Sequence, residues 1–337
     1  MQPIPNPIPL SLLDLALVSE GTSSRQALTD ATELARRADD LGFTRFWVAE
    51  HHNMTWVAST DPAVFMAHLA ANTTNIRLGS GGVMLPNHAP LLVAERFAML
   101  EALYPGRIDL GIGRAPGGNP RTTAALRRMP ESEADRFPDD LVDLMSLLGD
   151  QRADLSLAEH LRATPAPESY PDVVLLGSGE YSAELAGRLG LRFGFANHFN
   201  TGNESTAHEV YRDHFVPSPV LAEPYLIVTT IAIASDSAED SLEMLGAHHL
   251  RKLGTRRGTD IGLLSDEAAR RHPDYAEAMI GGENSIVGTG DEVADQLHAL
   301  SRHTGADELM LTLPTSNLAG RVRSLELTAE SWLHPRI

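Results

Sequence analysis

Short apolar runs alternate along this chain with longer segments whose apolar residues recur at helical spacing, the pattern of repeated strand–helix units around a parallel sheet. The runs predict strands over Leu10–Leu17, Arg45–Glu50, Ile76–Leu85, Ile108–Gly113, Val173–Leu176, Phe193–Ala196, Leu226–Ala234 and Glu308–Leu313. Helices are predicted over Arg25–Leu41, from Pro62 to about Ala71, and over Leu91–Leu103, Ser182–Leu189, Ser205–Phe215, Glu292–Leu300 and Leu318–Leu333. Gly42 suits the C-terminal end of the first, and Asp61 followed by Pro62 suits the start of the second. A Pro- and Arg-rich insertion with a helix near Pro138–Leu148 follows the fourth strand, and a helical and irregular stretch running to about Glu283 follows the seventh. Eight strands with intervening helices predict an α/β fold, one (β/α)8 TIM barrel spanning residues 1–337, with insertions after strands four and seven. A doubly wound open sheet is the alternative, but its Gly-rich fingerprint is missing after the first strand.

In such a barrel the chemistry lies on loops beyond the C-terminal strand ends. The second strand, Phe46-Trp47-Val48-Ala49, stops at Glu50, His51 and His52, which makes that end a candidate active site. Adjacent strand residues face opposite ways, so one histidine points inward. It serves as a proton donor or hydrogen-bonding group beside a ligand, or else as a buried core histidine. With no third ligand evident beyond His198, no metal site is expected. Gly81-Gly82 interrupts the third strand, marking either a plain kink or a close approach of backbone to something flat. Gly177-Ser178-Gly179 before a helix containing Ser182 offers free N–H groups and a positive dipole end for a phosphate, with Arg114 available as a second donor. The same tripeptide also suits a tight strand–helix loop. Trp47, Phe65, Phe97 and Trp332 read as core, whereas His68, His214, His248, His249 and His272 fall on surface positions by pattern.

Composition narrows the classes. The chain has 337 residues, 42% of them hydrophobic, enough for a large core. A formal net charge of −18 argues against nucleic acid and anionic membrane partners. With no cysteine, thiolate nucleophiles and Cys-ligated metals are excluded, so redox work would need a bound cofactor. The N-terminus lacks a signal-peptide pattern and no apolar stretch reaches membrane-span length, so a cytoplasmic location is expected. Lys252 is the sole lysine, a bias toward arginine with no mechanistic weight in the sequence.

Five segments in order resemble the bacterial-luciferase-like flavin-dependent monooxygenases: Arg45 to His52 (RFWVAEHH), Leu78 to Pro90 (LGSGGVMLPNHAP), Pro105 to Pro116 (PGRIDLGIGRAP), Leu175 to Leu191 (LLGSGEYSAELAGRLGL) and Ala196 to Phe199 (ANHF). The resemblance is to their single-subunit bacterial members and covers nearly the whole chain. It implies a (β/α)8 barrel, reduced FMN supplied by a separate flavin reductase, O2 as co-substrate, and a small organic substrate oxygenated through a C4a-hydroperoxide. By position it makes His51 the active-site histidine and Glu50 its neighbour near the ring, and places a non-prolyl cis peptide at Gly81-Gly82 under the flavin. Arg114, Ser178, Gly179 and Ser182 match the family's phosphate-binding positions. Gly113 and Asn197 match positions beside the flavin, where light-emitting members carry a cysteine and a tryptophan, departures that count against luminescence. The family habit also implies a homodimer through the helices after strands two and three. An F420-dependent hydride-transfer oxidoreductase and a non-catalytic flavin-binding subunit are the alternatives.

Overall fold

β-Branched, leucine and aromatic runs form nine parallel strands: β1 (Leu10–Asp14), β2 (Arg45–Val48), β3 (Arg77–Met84), β4 (Ile108–Gly113), β5 (Asp172–Gly177), β6 (Arg192–Phe195), β7 (Leu226–Ala234), β8 (Ser285–Gly288) and β9 (Glu308–Thr312). The computed structural model describes residues 7–115, 120–126, 136–166, 169–199, 204–259, 261–280, 285–315 and 317–333. β1 pairs with both β2 and β9, and β7 with both β6 and β9, so eight strands close a barrel. β8 lies outside the ring. It pairs with the second half of β7, Ile231–Ala234, a strand the sequence pattern does not predict.

The helices are α1 (Ser24–Asp40), α2 (Pro62–Ala70), α3 (Pro90–Leu103), α4 (Pro120–Leu126), α5 (Phe137–Leu147), α6 (Glu180–Arg188), α7 (Glu204–Asp213), α8 (Ala238–Glu243), α9 (Gly246–Arg256), α10 (Asp266–Arg271), α11 (Tyr275–Ile280), α12 (Gly290–Thr304) and α13 (Leu318–Leu333). Their starts follow local chemistry. Asp61 accepts from the Val64 N–H with Pro62 in the first turn, and Thr289 with Glu292 forms a capping box. The stretch after β7 resolves into α8 to α11, and the insertion after β4 contains α4 and α5. β1 ends at Asp14 rather than at Leu17, because the Asp14 carboxylate turns back to the Ala16 N–H at 2.7 Å and ion-pairs with Arg321 of α13.

One core lies between strands and helices, and a smaller one fills the barrel itself. Leu13, Trp47, Val174, Ile227 and Met310 form the inner layer. Gly79 makes it possible: a Cβ there would sit 2.3 Å from Trp47 Nε1.

Below that layer every barrel strand contributes a polar group near its N-terminal end. Arg45 meets Asp109 at 2.9 Å, Glu308 at 3.0 Å and Asp172 at 3.8 Å. Arg77 meets Asp109 at 2.5 Å, and Arg192 meets Asp172 at 2.8 Å while stacking on Tyr225. The Ser11 and Tyr225 hydroxyls and the Trp47 indole N–H donate to the same carboxylates. Burial by itself would lower the Arg45 pKa, but Asp109, Glu308 and Asp172 raise it and hold the guanidinium charged. Arg45→Met should therefore destabilise the fold by about 3–5 kcal/mol in denaturant unfolding, since it leaves the buried Glu308 without a cation and Asp109 with Arg77 alone. Arg257→Met, at the exposed pair with Asp274 and Glu277, should leave the unfolding midpoint unchanged within error.

Candidate active site

Alternation along the strands sets which groups reach the barrel mouth. Arg45 and Trp47 point inward, and the same register carried past the end of β2 brings His51 to the rim; Arg192 and Gly194 do the same for His198 beyond β6. The His51 N–H donates to Ser59 O at 3.1 Å, and the Ser59 hydroxyl donates to Ala49 O at 2.6 Å, so the backbone here is fixed. The His51 Nδ1 is buried without a hydrogen-bond partner among the described residues. Burial lowers its pKa, Arg251 and His52 push the same way, and Glu50 opposes them. The result is a neutral imidazole near neutral pH, able to accept or hand on one proton.

Glu50 and His52 take the opposite face. Glu50 is fully buried, and its Oε1 accepts from Nε2 of His52 at 2.7 Å and Nε2 of His88 at 2.8 Å, while Oε2 accepts from the Met84 N–H at 3.0 Å. A carboxylate only accepts, so both imidazoles carry their proton on Nε2. Burial would raise the Glu50 pKa, but these donors and the charge on His88 lower it, keeping the carboxylate ionised. The ligating atoms of Glu50, His52 and His88 lie within 4.8 Å of one another, a set with the composition of a cation site that here bonds to itself. The sequence singles out neither His52 nor His88 as a partner of Glu50. His88 does lie in the Asn87-His88-Ala89-Pro90 segment, which is the signal available.

The Gly81–Gly82 peptide is cis, as the resemblance implies, and the β3–β4 register shifts between Ser80 and Val83. Both glycines are also demanded by packing. A Cβ on Gly81 would lie 2.6 Å from Leu13 Cδ1, and one on Gly82 would lie 2.9 Å from Gly111 O.

Across the mouth, β5 ends at Gly177 and α6 starts beyond Gly179, whose side has no capping hydrogen bond. Gly177 brings the helix close: a Cβ there would fall 2.5 Å from the Ser182 Oγ. Ser178, Gly179 and Ser182 are half-buried around this turn. Arg114, just past β4, lies over the ring of Tyr181 in the first turn of α6 at 4.4 Å. Arg114 thus lies against the first turn of α6, the turn that also carries Ser182. Gly113 packs beside Met84, with a Cβ there 3.2 Å from the sulfur, and Asn197 opens the short turn Asn197–Phe199. Pro116, Gly117 and Gly118 fall outside the described residues.

The sequence pattern assigns His248 and His249 to the surface, and the structure corrects this. His249 is buried, and the His248 Nε2 is enclosed without a partner among the described residues. The pattern fails because α9 is covered by α10, α11 and the loops after β1 and β2, which no local period reveals. Burial lowers the pKa of His198 to about 4 and that of His249 to about 4, with Lys252 acting in the same direction; His248 lies well below its ordinary value. Unfolded, each returns to near 6.5, so acid favours unfolding. Stability from these three groups should be complete above about pH 6.5 and fall toward about pH 4. Denaturant midpoints measured from pH 7 to 4.5 should decline, and His249→Asn should flatten the decline.

A family profile described as luciferase-like monooxygenase matches residues 9–308. A protein of Escherichia coli (strain K12) named luciferase-like monooxygenase is 41% identical over 328 residues, 96% of each chain. The N-acetyl-S-alkylcysteine monooxygenase of Bacillus subtilis (strain 168) is 33% identical over 330 residues, 97% of this chain and 98% of that one. The crystal structure of apo-MsnO8 superposes with a TM-score of 0.86 at 34% identity, covering 98% of this chain and 100% of the other. The fold extends to an FMN complex of a 3,6-diketocamphane monooxygenase component, TM-score 0.71 at 18% identity, and to an F420-dependent secondary alcohol dehydrogenase, TM-score 0.68 at 14% identity. Matched along nearly its entire length, this chain belongs to the luciferase-like monooxygenase family.

Proposed function

We propose that this chain is the oxygenating component of a two-component system, taking reduced FMN from a separate reductase and using O2 to oxygenate a small organic substrate. The observation that carries this reading is the corner where Arg114, stacked on Tyr181, stands beside Ser182 at the start of α6, on the same rim as His51. A phosphate tail fits that corner: the guanidinium and hydroxyl donate, the uncapped N–H groups add the helix dipole, and the open space at Gly179 admits the oxygens. The Gly81–Gly82 backbone offers a flat surface without side chains to a ring. The bound cofactor would supply the electrons that activate O2 for transfer of one oxygen atom to the substrate.

The remaining work belongs to the chain. His51, neutral and partly buried, holds a hydrogen bond at the reacting edge and passes a proton there. Glu50 acts at one remove: tied to His52, His88 and Met84, it fixes the ends of β2 and β3 between which the ring would lie. Val64 of α2 and Met99 and Leu103 of α3 are exposed by 68%, 53% and 60%, and we assign this apolar face to a homodimer contact.

Titration with FMN and with F420 under reducing conditions tests the cofactor, and tight binding of F420 alone would overturn the reading. Arg114→Ala should weaken FMN by about 10–100-fold, the loss of a charge-assisted contact. His51→Ala should abolish substrate oxygenation during FMN-dependent oxygen uptake while FMN affinity stays within about threefold. Met99→Glu should shift the chain from dimer to monomer in sedimentation velocity, and an unchanged distribution would reject the interface.

A further inference from the structure

Beyond the end of β2, the side turned away from the mouth carries a polar cluster built by two loops. Glu50 and His52 lie two residues apart on an extended segment and so share a side. His88 reaches them from the turn after β3. Its N–H donates to Leu85 O at 2.9 Å, and α3 starts at Pro90, so its backbone is held at both ends. The Glu50 Oε1 meets Nε2 of His52 at 2.7 Å and Nε2 of His88 at 2.8 Å, and the three ligating atoms lie within 4.8 Å of one another.

Two imidazoles and one carboxylate converging on a point are the donor set of a borderline divalent ion, whereas magnesium and calcium take oxygen donors. Ligands about 2.0–2.2 Å from a tetrahedral ion stand about 3.3 Å apart, so each Oε1–Nε2 separation would open by about half an ångström to admit one. The surroundings favour that. Glu50 is fully buried, yet among the described residues no guanidinium or ammonium meets it, and Arg96, which lines the cavity beside it, pairs with Asp61 at 3.6 Å. At the floor, by contrast, Asp109, Asp172 and Glu308 all meet arginine. A buried carboxylate is costly unless it is paired or coordinates a metal. Its Oε2 takes the Met84 N–H at 3.0 Å, the kind of outer contact that orients a carboxylate bound through one oxygen. The His52 and His88 side chains remain 19% and 17% exposed, enough for an ion to enter, and a water-sized cavity lined by Glu50, Val83, His88 and Phe97 adjoins them.

We propose that Glu50 Oε1, His52 Nε2 and His88 Nε2 form a site for one divalent transition ion of the zinc type, with a water from the adjoining cavity as fourth ligand. Each imidazole then carries its proton on Nδ1. The ion lies behind His51, which turns to the mouth, so its task is to tie the end of β2 to β3 and to the start of α3, and a zinc-type ion takes no part in electron transfer. The sequence offers no third ligand beyond His198; the fold supplies His88.

Calorimetric titration of the full chain with ZnCl2 and with MgCl2, after dialysis against a chelator and without FMN, tests this. One Zn2+ per chain should bind, about 100-fold or more tighter than Mg2+. His52→Gln and His88→Gln should each weaken zinc by about 100-fold or more, while His68→Gln, at an exposed position of α2, should leave it unchanged within about twofold. Co2+ gives a readout on the unsubstituted chain, independent of how a variant folds: it should show the strong visible absorption of a four-coordinate ion, abolished when Zn2+ displaces it. No stoichiometric zinc, zinc affinity that survives both Gln substitutions, Mg2+ bound as tightly as zinc, or the weak spectrum of six-coordinate cobalt would each overturn the proposal. With no FMN in these measurements, failure of the cofactor reading leaves the ion site standing, and failure of the ion site leaves the cofactor reading.

Discussion

The barrel rests on a closed set of ion pairs across its floor. Arg45, Arg77 and Arg192 face Asp109, Asp172 and Glu308, with Ser11, Trp47 and Tyr225 filling the remaining acceptor positions. A one-residue slip in any strand would turn its charge toward the apolar layer under the helices and leave an opposite charge unpaired. The set therefore fixes register as much as it contributes energy. Because side chains alternate, register at the floor decides which residues surface at the mouth several residues later. His51 stands inward because Arg45 does, and His198 because Arg192 does.

The outline of this arrangement is legible in the chain. Alternating apolar runs give all eight barrel strands, and the helix start at Asp61–Pro62 follows from local capping chemistry, whereas the helix expected from Glu292 begins earlier, at Gly290 behind the Thr289 cap. The turn at Ser178 and Ser182 with Arg114 nearby is legible as a candidate too, since glycines before a helix and a nearby arginine are local signals. What local pattern misses is pairing across distance. The partnership of Glu50 with His88 spans two loops, and the burial of His248 and His249 depends on α10 and α11 folding over α9. Ser285–Gly288 is too short to announce itself as a strand; its edge pairing with β7 makes it one.

Two kinds of polar burial are separated along the barrel axis. At the floor every buried charge is matched, which suits a part whose task is rigidity. At the mouth the imidazoles of His51, His198 and His248 retain buried nitrogens with no partner among the described residues, and Lys252 stands among cations. Unmet polar capacity of this kind lowers stability in acid and is available to a ligand only where the surrounding geometry is fixed. Here the backbone behind His51 is fixed by Ser59.

The excursion after β7 leaves and re-enters the barrel at one place: the Ser235 N–H donates to Gly288 O at 3.0 Å, and β8 runs alongside the strand from which the excursion departed. Its two ends are therefore pinned side by side whatever lies between them. Such a segment behaves as an exchangeable cassette, since its length and sequence can change at small entropic expense without moving the strands that carry His51 or the α6 corner. The excursion can thus change in sequence while the strands beneath it keep their places.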